Sequence, residues 1–537
     1  MTSDGLQFNL ADLYECVADA APERMALVAG EARLRYRELD ERSNRLAHHL
    51  EASGNRPGDW IGILAQNRAE WIESMLAAYK MRAAPINLNF RYVDDELRYV
   101  LDDADLVTLI FERRFAPRLL RIRESLPKLR HFICLEDGSD ADVSALGAVA
   151  YEAALAAASP ARGFGPRSPD DLYVLYTGGT TGMPKGTLWR QEDIFFAALG
   201  GGNFGGEPIR RPEAIAGNAA KEPRATLLAI APMMHGGGQW TTFNAFFAAN
   251  TLVLYTGASF DPNQIWRLVE RERVTSLSIV GDAMGRPLAE ALAAPGANFE
   301  LSSLAIVGSG GAILSKAVKQ QLREQLPKAL ILDSFGASET GYNGTVLDLA
   351  GPPAGPRFTL HEETTVLGDD GRPLAPGSGV VGRLARRGHV PLGYHKDPVK
   401  TAQTFPVIDG VRWVIPGDFA TLEADGTLVL LGRGSVCINS GGEKIYPEEV
   451  EAALKSHPDV FDAVAVGVPD ARFGERVAAL VTPRPGRAPS LEELASHCRE
   501  RIAGYKVPRA LVCVDEIVRT PAGKPDYRWA KRRALEG

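Results

Sequence analysis

Short apolar runs of the kind that form buried strands recur along this chain, and helical stretches separate most of them. They read "LVTLIF" from 106, "HFICL" from 131, "ATLLAIAP" from 225, "TLVLYTG" from 251, "SLSIVG" from 276, "SLAIVGS" from 303 and "ALILDSFG" from 329. Nearer the start, "YRELDERSNRLAHHLEASG" and "AEWIESMLAAYKMRA" carry apolar residues at helical spacing, and the strand-like "DWIGILAQ" lies between them. This alternation is that of an α/β protein. With 537 residues the chain exceeds what one core organises, so two to four domains are expected. From about residue 360 the texture changes to short strands and turns, and a last α/β segment follows from about 437. There "PEEVEAALKSHPDVFDAVAVGVPD" predicts helix, turn, strand. Residues 201–223, rich in Gly and Pro, predict a surface insertion, and "ALGAVAYEAALAAASPA" (145–161) predicts an ordinary helix.

Composition narrows the function. A net charge of −7 argues against nucleic acid or an anionic membrane held by bulk electrostatics. Five cysteines, widely spaced and without a C-x-x-C pair, suggest neither a disulfide framework nor a zinc site, which fits a reduced, cytoplasmic setting. The N-terminus lacks a basic segment followed by an apolar core, and no apolar run reaches the length of a membrane span. Stable membrane insertion is therefore not expected.

The stretch richest in chemistry is "YTGGTTGMPKGTLWR" (176–190). An apolar strand ends there in glycines and hydroxyls followed by one lysine. A plain turn rarely needs Thr177, Thr180 and Thr181 together with Lys185. A loop that wraps phosphate needs small residues, exposed N–H groups, hydroxyl donors and a point charge. It is not a Walker A loop, because Pro184 precedes Lys185 and Gly186 follows it. Four further stretches share this logic. "DSFGASETG" (333–341) sets an aromatic and a carboxylate among small residues. "WVIPGDFATLEADGTLVLLGR" places Asp418 and Arg433 on either side of a predicted hairpin. "NSGGEKIYPEEVE" is a glycine loop leading to a helix, and "RTPAGKPDYRWAKR" leaves Lys524 at the tip of a Gly/Pro turn.

In their order and spacing these motifs resemble the adenylate-forming superfamily: acyl-CoA synthetases, firefly luciferase and nonribosomal adenylation domains. The resemblance covers nearly the whole chain, including "LNFRYVDDELRYVLDDAD" and "GYHKDPVKTAQTF". "TLWRQEDIF" and "GRGSVCINSGGEKIYPEEVE" look most like fatty-acyl and sterol-side-chain CoA ligases of actinobacterial type. The fold implied is α/β: a large N-terminal domain of α/β subdomains plus a distorted β-barrel (1–431), a hinge (432–436), and a small mobile α+β C-terminal lid domain (437–537).

The resemblance implies roles residue by residue. Thr177, Gly178, Gly179, Thr180, Thr181, Gly182 and Lys185 go to the ATP phosphates. Glu339, with Thr177, goes to Mg²⁺. Phe335 stands where the family usually stacks a tyrosine on adenine, beside Asp333, Ser334 and Ser338. Asp418 takes the ribose, with Arg433 nearby, and Gly310, Gly311 and Ala312 line the adenine and acyl pocket. His235 lies beside the carboxylate and pantetheine channel, or is a satisfied loop histidine; Met233, Met234 and Trp240 read as core before pocket wall. Small residues in "HGGG" (235–238) leave room for a bulky chain. Ser440, Gly441, Gly442 and Lys444 go to CoA, and Lys524 to catalysis of adenylation. ATP, Mg²⁺ and CoA are the implied cofactors, a carboxylic acid is the substrate, and a homodimer stays open. Ser435 and Val436 depart from the usual hinge residues, with Gly434 supplying backbone freedom, and Pro416 replaces the usual threonine before Gly417-Asp418. Three other readings remain: an adenylating enzyme loading a carrier protein in trans, a luciferase-like oxygenase, for which nothing marks an oxygen-handling site, and a nucleotide-binding sensor without turnover.

Overall fold

Five of the apolar runs end up beside one another, because an apolar strand with no charged face must be covered on both sides. In the computed structural model, Met25–Ala29, Thr251–Leu254, Thr226–Ala229, Ser276–Ile279, Ile306–Ser309 and Leu330–Ala337 lie in that order as parallel neighbours. The structure describes every residue except 1–5, 178–182, 223, 313, 347–356, 441–442, 471–472, 503, 521–522 and 537. Strand periodicity divides the sheet's side chains between two cores. Leu252 and Leu254 face one, while Val253 faces the other with Leu277 and Val307. Helices Pro262–Glu272, Gly281–Ala293 and Lys316–Gln325 cover that second face through Trp266, Leu288 and Leu322. The first of them starts where it does because the Asp261 side chain accepts from the N–H groups of Asn263 and Gln264, with Pro262 in the first turn.

A second sheet, of Ala84–Asn87, Trp60–Leu64, Thr108–Glu112, His131–Leu135 and Val149–Ala150, is parallel throughout. The strands expected to form a barrel take a more open form. Beyond Leu330–Ala337 the first sheet continues in antiparallel order through Gly341–Val346, Arg357–Leu360, Leu428–Arg433, Asp418–Leu422 and Gly382–Arg386 to Thr364–Leu367. The last hundred residues build a separate sheet of Glu443–Ile445, Ile438–Ser440, Gly474–Pro483, Val460–Asp470 and Ala510–Cys513. Its two hydrophobic clusters draw only on residues from Ile438 onward. Helix Pro447–Lys455 followed by strand Val460–Asp470 matches the helix, turn, strand expectation.

Two local expectations give way. The Gly/Pro-rich stretch is no loose surface insertion: Pro212–Ala220 winds as a 3₁₀ segment against helix Leu10–Ala20. Ile215 is wholly buried there, and the Asn218 amide donates to the carbonyls of Gly202 and Phe247 at 2.6 and 2.7 Å. The alanine-rich stretch is α-helical only over Tyr151–Ala156, after a 3₁₀ turn at Ser144–Leu146, since Val149–Ala150 is drawn into the second sheet. No helix among the described residues is long and apolar enough to cross a membrane.

A buried ion network ties the first three helices to the linker before the phosphate loop. Lys80 is wholly buried and pairs with Glu15 and Asp40 at 2.6 Å each. Arg167 meets Glu15 at 2.9 Å and Arg162 meets Asp40 at 2.9 Å. Burial alone would raise the Glu15 pKa, but Lys80, Arg167 and Arg162 override it and lower the group to about 2. Removing one partner of such a set strands the others as buried charges. Lys80→Met is therefore expected to destabilise the protein by about 3–5 kcal/mol, read as a lowered midpoint in denaturant unfolding. An unchanged midpoint would show the network to be dispensable.

Candidate active site

In open α/β sheets, ligands bind beyond the carboxyl ends of the parallel strands, where loops leave the sheet together. Four adjacent strands here deliver residues to that edge, three of them residues predicted from the sequence. His235 follows Thr226–Ala229, Val280 follows Ser276–Ile279, Gly310 and Gly311 follow Ile306–Ser309, and Phe335 to Glu339 close Leu330–Ala337. A Cβ built on Gly310 would lie 3.6 Å from the Ser334 carbonyl, and one on Gly311 would lie 3.8 Å from Val280 Cγ1. The glycine loop, the "DSF" strand and Val280 therefore share one wall.

The turn bearing Lys524 reaches the same wall from the C-terminal unit. A Cβ on Gly523 would lie 3.4 Å from the same Val280 Cγ1. The turn is closed by the Thr520 N–H donating to Lys524 O at 2.7 Å, and Gly523 has φ +77°, which favours glycine. Arg519 braces it, donating to Gly523 O at 2.9 Å while pairing with Asp462 at 2.5 Å. Lys524 is exposed on this braced tip. Neighbouring contacts hold the unit in place: Arg484 lies 3.4 Å from Glu290, and the Arg286 guanidinium sits 5.4 Å from the Phe461 ring centroid.

The phosphate-loop strands pair as a hairpin, Leu172–Thr177 with Lys185–Arg190, which sets Thr177 directly opposite Lys185 across the mouth of the loop. Gly178, Gly179, Thr180, Thr181 and Gly182 lie outside the described residues. Trp189 fastens this hairpin to the carboxylate loop by donating its indole N–H to Ser338 O at 2.9 Å. Glu339 is half-buried and accepts a hydrogen bond from the Tyr394 hydroxyl at 2.9 Å. Lys185 pairs with Asp397. Neither Tyr394 nor Asp397 was singled out in the sequence, although "GYHKDPVKTAQTF" contains both; their partners are too distant along the chain for any local pattern to reveal.

The remaining predicted residues fall into place unevenly. Asp418 and Arg433 are register partners in the antiparallel hairpin, as its sequence predicted. Phe335 packs its ring 4.4 Å from that of Phe358. Ser334 donates to the Thr345 hydroxyl at 3.2 Å. Asp333 turns inward: burial raises its pKa to about 6 even though Lys319 lies 3.0 Å away, so its carboxyl is committed to the interior. His235 occupies the N-cap position of helix Gly236–Phe247 and is half-buried, while Met233 and Met234 are core. The "HGGG" glycines serve packing more than roominess. A Cβ on Gly238 would approach Pro232 O to 2.8 Å and one on Gly236 would approach Leu175 to 3.0 Å, leaving only Gly237 facing open space.

Ser440 is buried in strand Ile438–Ser440, which pairs with Glu443–Ile445 at the edge of the C-terminal sheet. Gly441 and Gly442 lie outside the described residues, as do the side chains of Lys444 and Arg433. Gly434 opens the 3₁₀ turn Gly434–Val436 between the two units. Its need for glycine is a close approach, since a Cβ there would lie 2.5 Å from the Phe419 ring.

Magnesium fits the donor set. Among the described residues no group of three candidate ligands converges; carboxylate and hydroxyl oxygens are the donors that suit an ion which keeps waters and takes its other oxygens from phosphate. Glu339 and Thr177 are the residues of this type.

Comparison with known proteins agrees with this geometry. Residues 14–395 match the AMP-binding enzyme family and residues 449–524 match the AMP-binding enzyme C-terminal domain. The medium/long-chain-fatty-acid–CoA/3-oxocholest-4-en-26-oate–CoA ligase of Mycolicibacterium smegmatis is 50% identical over 532 residues, 98% of this chain and 96% of that protein. The 3-oxocholest-4-en-26-oate–CoA ligase of Rhodococcus rhodochrous is 48% identical over 98% of this chain and 96% of its own length. The medium-chain acyl-CoA ligase Mig of Mycobacterium avium is 44% identical over the full length of both. The anthranilate CoA ligase AuaEII bound to anthranoyl-AMP shares the fold with a TM-score of 0.86 at 24% identity, over 99% of this chain and 98% of that one. With both family matches in chain order and relatives of this identity along their whole length, the chain belongs to the AMP-binding enzyme family.

Proposed function

We propose that this protein is an ATP-dependent acyl-CoA ligase that activates a medium- or long-chain fatty acid, or a sterol side-chain acid. The observation that carries the reading is the Lys524 turn, which comes from a separately folded unit and rests at Val280 on the wall shared with Gly310, Gly311 and Ser334. The relatives' named substrates support the choice of acid. The five cysteines, none of them in a disulfide, accord with a reducing, cytoplasmic setting.

In the first half-reaction the acid's carboxylate oxygen attacks the α-phosphorus of ATP. The bond to the β-phosphate oxygen breaks, leaving acyl-AMP and pyrophosphate. Both reactants are anions, so the site must offset their repulsion. Lys524 does so between carboxylate and α-phosphate, and Lys185 and the Thr177 hydroxyl do so at the departing phosphates. Bound Mg²⁺, held by Glu339 and Thr177, would supply further positive charge across the phosphate oxygens. Phe335 stacks on the adenine, while Asp418 offers two acceptor oxygens to the ribose diol with Arg433 beside it. In the second half-reaction the CoA thiolate attacks the acyl carbonyl and AMP leaves. The C-terminal unit turns between the two steps, withdrawing Lys524 and bringing Ser440 to Lys444 to the pantetheine, with His235 beside the carbonyl.

Two measurements test this. Pyrophosphate release over a panel of acids should favour medium- and long-chain or sterol side-chain acids over acetate by at least about tenfold in kcat/KM, since each buried methylene contributes roughly 0.8 kcal/mol. Equal or better turnover of acetate or an amino acid would contradict the substrate class. Lys524→Ala should lower pyrophosphate release by about 10²–10³ while sparing acyl-CoA formation from supplied acyl-AMP and CoA. Undiminished pyrophosphate release, or equal loss of both halves in a folded variant, would contradict the mechanism.

A further inference from the structure

The segment Tyr394–Asp397 touches Lys185, which the proposed reading gives to the polyphosphate, and Glu339, which it gives to Mg²⁺. Gly393–Tyr394 adds a third strand to the phosphate-loop hairpin, pairing with Leu188 and Thr187, and the His395 N–H donates to Gly186 O at 2.8 Å. The segment is fixed from behind as well: the Lys396 ammonium donates to Asp103 O at 2.6 Å, and His395 Nε2 lies 3.0 Å from the same carbonyl. On this rigid mount Asp397 holds two partners with different oxygens. Oδ1 accepts from the Lys400 N–H at 2.8 Å, capping helix Pro398–Thr404, and Oδ2 takes the Lys185 ammonium. The ammonium also lies 5.9 Å from the Tyr394 ring centroid. The side chains of Lys185 and Asp397 keep 39% and 29% of their exposure, so water screens the pair and it opens cheaply.

We propose that Asp397 is an internal competitor of the triphosphate. In the nucleotide-free enzyme its carboxylate neutralises Lys185. Binding of ATP or pyrophosphate makes Lys185 exchange that carboxylate for phosphate oxygens, and leaves Asp397 as a nearby negative charge. The carboxylate therefore weakens polyphosphate binding, and in the forward reaction it helps pyrophosphate leave. AMP, which has no β- or γ-phosphate, is indifferent to the exchange. The inference rests on the reading that Lys185 faces the polyphosphate.

The test is calorimetric binding of ATP, pyrophosphate and AMP to wild type, Asp397→Asn, Lys185→Ala and the double variant, each with Mg²⁺ and with chelator. Asparagine keeps an oxygen for the helix cap and removes only the charge. Asp397→Asn should bind ATP and pyrophosphate about threefold to fivefold more tightly, the range of one screened ion pair, with and without Mg²⁺, and should bind AMP as wild type does. The gain should vanish when Lys185 is absent. Unchanged or weaker ATP binding by Asp397→Asn, an equal gain for AMP, or a gain that persists without Lys185 would overturn the inference while leaving the ligase reading intact. Lys185→Ala with undiminished affinity for ATP and pyrophosphate would instead overturn the assignment of Lys185, and the inference with it.

Discussion

Lys524 comes to the large unit from a C-terminal unit with hydrophobic clusters of its own, and one face of that unit meets helix Gly281–Ala293. Polar contacts mark that face among the described residues, while elsewhere helix Pro447–Lys455 meets strand Leu428–Arg433 and the Tyr446 ring lies 6.0 Å from that of Phe419. Arg484 meets Glu290 near the surface, and Phe461 covers Arg286. Arg286 is 3% exposed, has Asp282 at 3.6 Å, and has two terminal nitrogens without a hydrogen bond. A buried guanidinium in that state costs free energy that hydration would relieve. The docked arrangement therefore contains an opposing term.

Docking by itself would be of little use if the lysine were carried on a floppy loop. The Arg519 brace, held by Asp462 and Gly523 O, makes the tip a fixed projection of the C-terminal sheet. On the opposite side the receiving wall is constrained too, since Val280, Gly310 and Gly311 follow two neighbouring parallel strands and Ser334 lies within the next, in continuous register. A charge delivered by rigid-body contact between two rigid parts suits a two-step reaction in which the charge is needed once and then must go.

The sequence made much of this legible, and the residues show where legibility stops. Most of the parallel strands announced themselves as apolar runs, though Met25–Ala29 and Ala84–Asn87 did not, and the hairpin pattern placed Asp418 and Arg433 on its two sides. The glycine-and-threonine loop was visible because phosphate chemistry demands an unusual local composition. What stayed hidden depends on distant partners. Tyr394 meets Glu339 across 55 residues and Asp397 meets Lys185 across 212, so no window along the chain connects them. Ile215 and Asn218 sit among glycines and prolines that read as surface, yet both are fixed by a helix and carbonyls elsewhere. Gly236 and Gly238 read as space for substrate, whereas the backbone and side chains pressed against them explain their small size.

The central claim is that the docked arrangement serves the first half-reaction and must be undone for the second. Glu290 and Arg484 are partly exposed and face each other across the seam, so Glu290→Cys with Arg484→Cys, in a Cys513→Ser background, admits a short bismaleimide cross-link. The cross-linked enzyme should still release about one pyrophosphate per active site when given acid and MgATP, and should form no acyl-CoA when CoA is added, while the uncross-linked double variant turns over. Acyl-CoA formed at the uncross-linked rate, or loss of the pyrophosphate burst on cross-linking, would contradict the account.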